Sequence, residues 1–105
     1  MEKNYNKLVR DNIPKIIERS GNKCEFEILS DDDYIKMLDA KLDEELAEYH
    51  SDQNLEELAD LLEVIYAVTK ARGFSLDELE SLRKEKAEKR GGFERKFLLV
   101  KTFEK

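Results

Sequence analysis

The segment from Leu55 to Arg72 constrains the fold most, because two carboxylates interrupt its apolar periodicity. At about 100° per residue, its apolar side chains cover well over half of a helix circumference. One side of that arc predicts an ordinary core stripe, comprising Leu55, Leu58, Leu62, Ile65, Tyr66 and Thr69. Glu57 and Asp60 also fall within the arc. An unpaired buried carboxylate costs several kcal/mol, so it shifts its pKa, meets a cation or binds a metal.

A second acidic pair, Glu45 and Glu48, lies at the edge of the apolar stripe of the preceding helical segment, where Glu44 is expected to point nearly opposite. The short polar turn 51–54 predicts that the two helices pack as antiparallel neighbours. Carboxylates three residues apart share a helix face, so the two pairs are expected to face each other. Such a group without interleaved Lys or Arg favours Mg²⁺, Mn²⁺ or Ca²⁺ over zinc. Alone, Glu45 and Glu48 would be typical of a solvated face.

Basic residues gather around Gly91 and Gly92. They are Lys84, Lys86, Lys89, Arg90, Arg95 and Lys96. Glycine allows a close backbone approach and arginine binds phosphate with two parallel bonds, which favours a phosphate-binding site. Cations at a helix C-terminus also complement its dipole without any ligand, so both interpretations stay open. Lys7 and Arg10 form a weaker basic pair near the N-terminus.

Composition predicts one helix-rich domain over residues 1–105, because 42% of the 105 residues are charged and only one is proline. The net charge of −6 argues against broad binding to nucleic acid. The single cysteine, Cys24, is expected to be structural and favours a reducing compartment. With no apolar run of membrane length and no signal-peptide pattern, we expect a cytoplasmic protein without a membrane partner.

The predicted fold class is mainly α, a helical bundle with a small β ribbon. A short helix follows Asp11 or Asn12 and ends at Gly21, and the last helix ends near Arg90. Three further N-caps are predicted, Ser30, Asn54 and Ser75. The helix from Ser30 to about Tyr49 has a buried stripe of Ile35, Leu38, Leu42, Leu46 and Tyr49. Residues 24–29 and 97–103 are predicted strands, whose pairing as a ribbon is a hypothesis.

The apolar circumference of the helix from Leu55 is too wide for the other helices of one short chain to cover. We therefore expect a homodimer, or a larger assembly such as a homotetramer, with this helix at the interface.

These motifs resemble the MazG-like branch of the all-α nucleoside triphosphate pyrophosphohydrolases, which includes phosphoribosyl-ATP pyrophosphohydrolase and dimeric dUTPases. The similarity lies in Glu44-Glu45-Leu-Ala-Glu48 followed by Glu56-Glu57-Leu-Ala-Asp60. The opening residues 5–14, YNKLVRDNIP, and residues 89–93, KRGGF, are similar to a small subgroup described as predicted house-cleaning pyrophosphatases for non-standard nucleotides.

The resemblance implies an enzyme that uses Mg²⁺, or Mn²⁺, to hydrolyse a nucleoside triphosphate at the α-phosphorus, which gives a monophosphate and pyrophosphate. The implied metal ligands and catalytic carboxylates are Glu45, Glu48, Glu57 and Asp60. The residues implied to contact phosphates are Lys86, Lys89, Arg90 and Arg95, and Lys7 and Arg10 are further candidates for substrate binding. Only eight residues separate Glu48 from Glu57, fewer than in many members, so the base is not indicated.

Three other interpretations stay open. The same chemistry would serve a phosphoribosyl-ATP pyrophosphohydrolase. A non-catalytic helical module could keep the site only to bind a metal or a nucleotide. A purely structural helical protein would instead gain stability when Asp60 loses its charge.

Overall fold

The computed structural model describes residues 2–104, in which four α-helices and no strands occur. The helices are α1 (Ile13–Arg19), α2 (Asp31–Asp52), α3 (Leu55–Ala71) and α4 (Leu76–Arg90). α2 and α3 form an antiparallel hairpin, and α4 packs on α3 but on no other helix of the described chain. The predicted all-α class is confirmed.

The three longer helices begin where side chains satisfy the free backbone N–H groups of the first turn. The Ser30 hydroxyl accepts from the Asp33 N–H at 3.2 Å, and Asn54 Oδ1 accepts from the Glu57 N–H at 2.9 Å. Ser75 caps α4 in the same way. These three N-cap predictions are confirmed, and they place α3 directly after the hairpin turn.

The short helix α1 begins differently from the prediction. Asn12 stands at its N-cap position, but its backbone is helical and its side chain makes no capping hydrogen bond. Instead the Ile13 N–H donates to the Arg10 carbonyl at 3.0 Å, and Pro14 lies in the first turn. Proline has no N–H to satisfy there, so α1 needs fewer capping partners than the other helices.

The predicted β ribbon is wrong for the part of the chain that the structure describes, because neither 24–29 nor 97–103 is a strand. Ile28 is 93% exposed and Leu98 86% exposed, and although Cys24 and Leu29 are half-buried, neither segment buries one alternating set of side chains. Polarity alternation predicts only which side chains share a face of a strand. A strand also needs a partner edge for its backbone hydrogen bonds.

The buried core of the described chain is small and lies between α2 and α3. Its members are Leu38 of α2, Val64 of α3 and one charged residue, Glu45. The α2 stripe is confirmed at Leu38 and is half-buried at its other positions, except that Leu46 is exposed.

The orientation of α3 differs from the prediction. Its side with Glu57, Asp60 and Val64 turns toward α2, whereas Leu58 and Leu62 of the predicted core stripe are exposed. A single partner helix can cover only one side of so wide an apolar arc. The side that α2 covers is the one that carries the carboxylates.

The chain is extended. Its radius of gyration is 18.8 Å, whereas a compact domain of this length has about 13 Å. No helix within residues 2–104 has both the length and the apolar character that crossing a bilayer requires.

Candidate metal centre

The turn between α2 and α3 brings five carboxylates together, which we call the acidic cluster: Glu44, Glu45, Glu48, Glu57 and Asp60. They form two trios in which one oxygen of each residue lies within 4.8 Å of the others. The first trio is Glu44, Glu45 and Glu48, and the second is Glu45, Glu57 and Asp60. Glu45 belongs to both trios and so joins the two helices. The expectation that the two acidic pairs face each other is confirmed.

Glu44 was expected to point away, and that expectation is wrong. Its carboxylate reaches within 4.8 Å of those of Glu45 and Glu48 and is half-buried. A long side chain can curl around the helix, which a calculation from backbone angle ignores. The signal that could have found it is the i, i+4 spacing of Glu44 and Glu48.

Glu45 is the most constrained member of the cluster. It is only 6% exposed, because it sits two turns after Leu38 on the face of α2 that meets α3. Its Oε2 is buried without a hydrogen-bond partner, and its Oε1 lies 3.5 Å from Lys41 Nζ. Burial raises the pKa of Glu45, and the adjacent Glu48 carboxylate raises it further. A buried oxygen without a partner, aimed into a group of carboxylates, is one that a cation would satisfy.

Glu57 is in a similar position on the opposite helix. Its Oε2 is also buried without a hydrogen-bond partner, and burial raises the pKa of its carboxyl, as do the negative charges of Glu48, Asp52 and Asp60. No cation forms an ion pair with Glu57 in the described chain, in contrast to Glu45. Glu48 also has no paired cation there, but only Glu57 of the two has a buried oxygen without a hydrogen-bond partner.

Three cations contact the acidic cluster, although no lysine or arginine lies between its members in the sequence. Lys41 Nζ lies 3.3 Å from Glu44, Lys7 Nζ lies 3.1 Å from Glu44, and Arg10 Nη2 lies 2.7 Å from Asp60 Oδ1. Five carboxylates against three cations still leave an excess of negative charge when every group is ionised. The cluster thus keeps the charge needed to attract a divalent cation.

The ion pairs also set the proton affinity of Glu44. Burial acts to raise the pKa of Glu44, but the hydrogen bonds and positive charges of Lys7 and Lys41 outweigh it and lower that pKa. The hydrogen bond to Glu44 in turn raises the pKa of Lys7. Glu44 is therefore ionised and paired with lysines. Glu45 and Glu57 are the members that a bound proton or metal ion would stabilise more.

The predicted phosphate-binding residues fall into two groups. Lys7 and Arg10 reach the acidic cluster across 37 and 50 residues of sequence. Lys86, Lys89 and Arg90 lie on α4, which does not contact α2 in the described part of the chain. Arg95 lies over the Phe97 ring, 4.7 Å from its centroid. Among the predicted phosphate-binding residues, all of which lie within residues 2–104, the structure brings only Lys7 and Arg10 to the carboxylates.

Comparisons with known proteins do not show a family for this chain. No family model matches it, and no solved structure matches it. An uncharacterized protein of Mycolicibacterium smegmatis is 58% identical over 41 residues, which is 39% of this chain. The chain spans 42% of the length of that relative. The resemblance to the MazG-like proteins therefore stays a prediction.

The cost of the buried charge can be measured with Glu45→Gln in metal-free buffer. At about pH 7 we expect the substitution to raise the free energy of unfolding by about 1 kcal/mol, because it removes a buried charge that Lys41 compensates only at one oxygen and keeps the shape of the side chain. A carboxyl whose pKa is raised by folding stabilises the fold below its unfolded pKa and loses that contribution as the pH rises through the folded pKa. The gain should therefore vanish below the ordinary glutamate pKa of about 4.3, where this carboxyl is protonated in both the folded and the unfolded protein.

Urea titrations over this pH range measure the effect, and Glu63→Gln is the matched control, since Glu63 is an exposed glutamate of α3. The control should be neutral at both pH values. An equal loss of stability at both pH values in Glu45→Gln would show that the carboxylate is not under electrostatic strain.

Proposed function

We propose that the protein is a nucleoside triphosphate pyrophosphohydrolase whose Mg²⁺ binds at the acidic cluster. The observation that carries the proposal is the buried, unpartnered oxygen of Glu45 at the point where two carboxylate trios meet. A solvated acidic face would leave each carboxylate free to turn to water. Here a 6% exposed carboxylate is fixed against four others, which is the arrangement expected of a cation site.

The donor set favours Mg²⁺ or Mn²⁺. Both trios consist of carboxylates alone, with no histidine or cysteine among them. Hard oxygen ligands suit these ions, and Mg²⁺ typically combines a few carboxylates with waters and substrate phosphates. Glu45, Glu48, Glu57 and Asp60 would hold the metal, and Glu44, already paired with two lysines, would support them from outside.

Bound there, the metal would neutralise phosphate charge, polarise a phosphoryl oxygen and lower the pKa of a water. The resemblance implies attack of water on the α-phosphorus. A new bond forms between the water oxygen and that phosphorus, and the bond to the bridging oxygen breaks, so pyrophosphate leaves with the electron pair. Glu57 is the residue we assign to take the proton, through the oxygen that does not hold the metal, because no cation is paired with it in the described chain and one of its oxygens lacks a hydrogen-bond partner.

Lys7 and Arg10 would bind the substrate phosphates. Both are about half exposed and already lie against the acidic cluster. An arginine that pairs with a metal-ligand carboxylate in the free protein can transfer to a phosphate when one arrives, since guanidinium groups match both anions. The substrate is a surplus or non-standard nucleotide in the subgroup that the chain resembles, and the base is to be identified by assay.

A panel of nucleoside triphosphates with Mg²⁺, together with phosphoribosyl-ATP, tests the activity through pyrophosphate release. We expect turnover of at least one substrate and a loss of at least about 100-fold in kcat for Glu57→Gln, which removes the proton acceptor. Glu63→Gln on the same helix should retain wild-type turnover. Tight nucleotide binding without product would favour the non-catalytic module instead, and full activity of Glu57→Gln would reject the assigned role.

Arg10→Gln should shift metal and nucleotide binding in opposite directions. Without nucleotide, the variant should bind Mn²⁺ up to about 5-fold more tightly, because an exposed ion pair that competes for Asp60 is gone. The KM for the nucleotide should rise by about 10-fold, because a charged hydrogen bond to phosphate is lost. Calorimetry and steady-state kinetics measure the two effects.

Arg72→Gln is the matched control for this experiment. It breaks a different ion pair, from Arg72 at the C-terminal end of α3 to Asp39 of α2 at 3.1 Å, away from the acidic cluster. That variant should change neither constant. Weaker Mn²⁺ binding in Arg10→Gln would mean that Arg10 only holds the N-terminal segment against α3.

A further inference from the structure

The end of the described chain is apolar and unpacked. Residues 97–103, which we call the apolar tail, contain five large apolar residues, each at least 77% exposed: Phe97, Leu98, Leu99, Val100 and Phe103. The segment forms neither helix nor strand. Isolated exposed leucines are ordinary, but a contiguous apolar run of this kind marks a surface that another element covers.

A second unpacked apolar surface runs along the first half of α3. Leu55, Leu58 and Leu62 share one side of the helix, which we call the outer stripe, and they are 81%, 45% and 45% exposed. The opposite side of α3 packs on α2 and carries the carboxylates. The outer stripe is thus a helix face for which the chain provides no cover.

The tail does not cover the outer stripe of its own chain. Residues 80–90 of α4 are all exposed, so most of α4 projects from the hairpin as an arm. The longest dimension of the molecule is 67 Å, about twice the 33 Å length of a helix such as α2. The arm and the tail therefore extend beyond the hairpin rather than fold back beside it.

The chain exposes enough surface for a second copy of it to cover. The chain exposes 10117 Å², whereas a compact protein of this mass exposes roughly 6,100 Å². The excess is on the order of 4,000 Å² per chain, and obligate homodimers bury about 1,000–2,500 Å² on each partner. A second copy supplies both missing surfaces at once, since each copy carries one tail and one stripe.

Charge points to the same occupant. Residues 84–96, just before the tail, contain six basic and three acidic residues. Near the outer stripe the exposed charges are acidic, since Asp52, Glu56 and Glu63 are exposed and residues 44–63 contain no lysine or arginine. A tail that packs on the stripe of another copy brings opposite charges together, which favours this pairing over two stripes that face each other.

We propose that the protein forms a dimer in which the apolar tail of each chain packs on the outer stripe of the other chain. Such a reciprocal exchange closes with two-fold symmetry and leaves neither surface free. The proposal does not depend on the function proposed above, because it uses neither the acidic cluster as a site nor any activity.

Light scattering coupled to size exclusion gives the first test. The wild-type protein should have the mass of two chains. The tail variant (Leu98→Ser with Leu99→Ser) and the stripe variant (Leu58→Ser with Leu62→Ser) should each associate at least about 100-fold more weakly, since two buried leucines are lost at each contact. Leu82→Ser, at an exposed leucine of α4 outside both surfaces, should remain dimeric. A monomeric wild type, or a tail variant that remains fully dimeric, overturns the proposal.

Mixing the two variants separates exchange from a contact between two stripes. A heterodimer of the tail variant and the stripe variant contains one intact tail and stripe contact, so the mixture should regain dimers that neither variant forms alone. A mixture that stays monomeric shows that the tail and the stripe do not meet.

Cross-linking keeps the test decisive if a serine variant fails to fold. In a Cys24→Ser background, Leu58→Cys and Leu99→Cys are made as separate proteins and oxidised. A disulfide-linked dimer should form when the two are mixed and not in Leu58→Cys alone. A linked dimer of Leu58→Cys alone would place the two stripes face to face, and a double variant that links only within one chain would place the tail on its own stripe; either result overturns the proposal.

Discussion

The burial of Glu45 in the contact between α2 and α3 is the interaction on which the rest of the structure depends. In the described chain it is one of only three buried residues, and the other two, Leu38 and Val64, provide a small apolar gain. A hairpin with so little core can tolerate a buried charge only if nearby groups compensate for it. Lys41, one turn earlier on α2, does so for one oxygen and leaves the other without a partner. The packing of the hairpin and the character of its site are therefore set by the same side chain.

Local features of this fold could be predicted from sequence, and features that require a distant partner could not. The caps at Ser30, Asn54 and Ser75, and the meeting of Glu45 with Glu57, follow from helical periodicity and a short turn. The ribbon prediction failed because a strand depends on a second segment that periodicity does not identify. The buried side of α3 was predicted wrongly for a related reason. An apolar arc shows which side chains can be buried, but the helices that pack on α3 decide which side of the arc is buried.

The N-terminal segment shows how long-range contacts change the electrostatics of a site. The sequence predicted carboxylates without lysine or arginine between them, yet Lys7 and Arg10 reach the cluster from the N-terminal segment. They offset part of the negative charge of the cluster, but they do not hydrogen-bond to the buried oxygens of Glu45 and Glu57. Since exposed ion pairs contribute little stability, these two cations cost little to displace. They can therefore remain beside the carboxylates and still be available to an incoming anion.

The two faces of α3 connect the candidate metal centre to the proposed assembly. Glu57 and Asp60 turn toward α2, and Leu55, Leu58 and Leu62 of the same two turns face outward. Each face is incomplete in a single chain, one for lack of compensating charge and the other for lack of apolar cover. A ligand that binds only the folded helix stabilises it for every other partner of that helix. Because a cation on one side and a second chain on the other would both act on the first half of α3, each would favour the binding of the other even though the two surfaces share no residue.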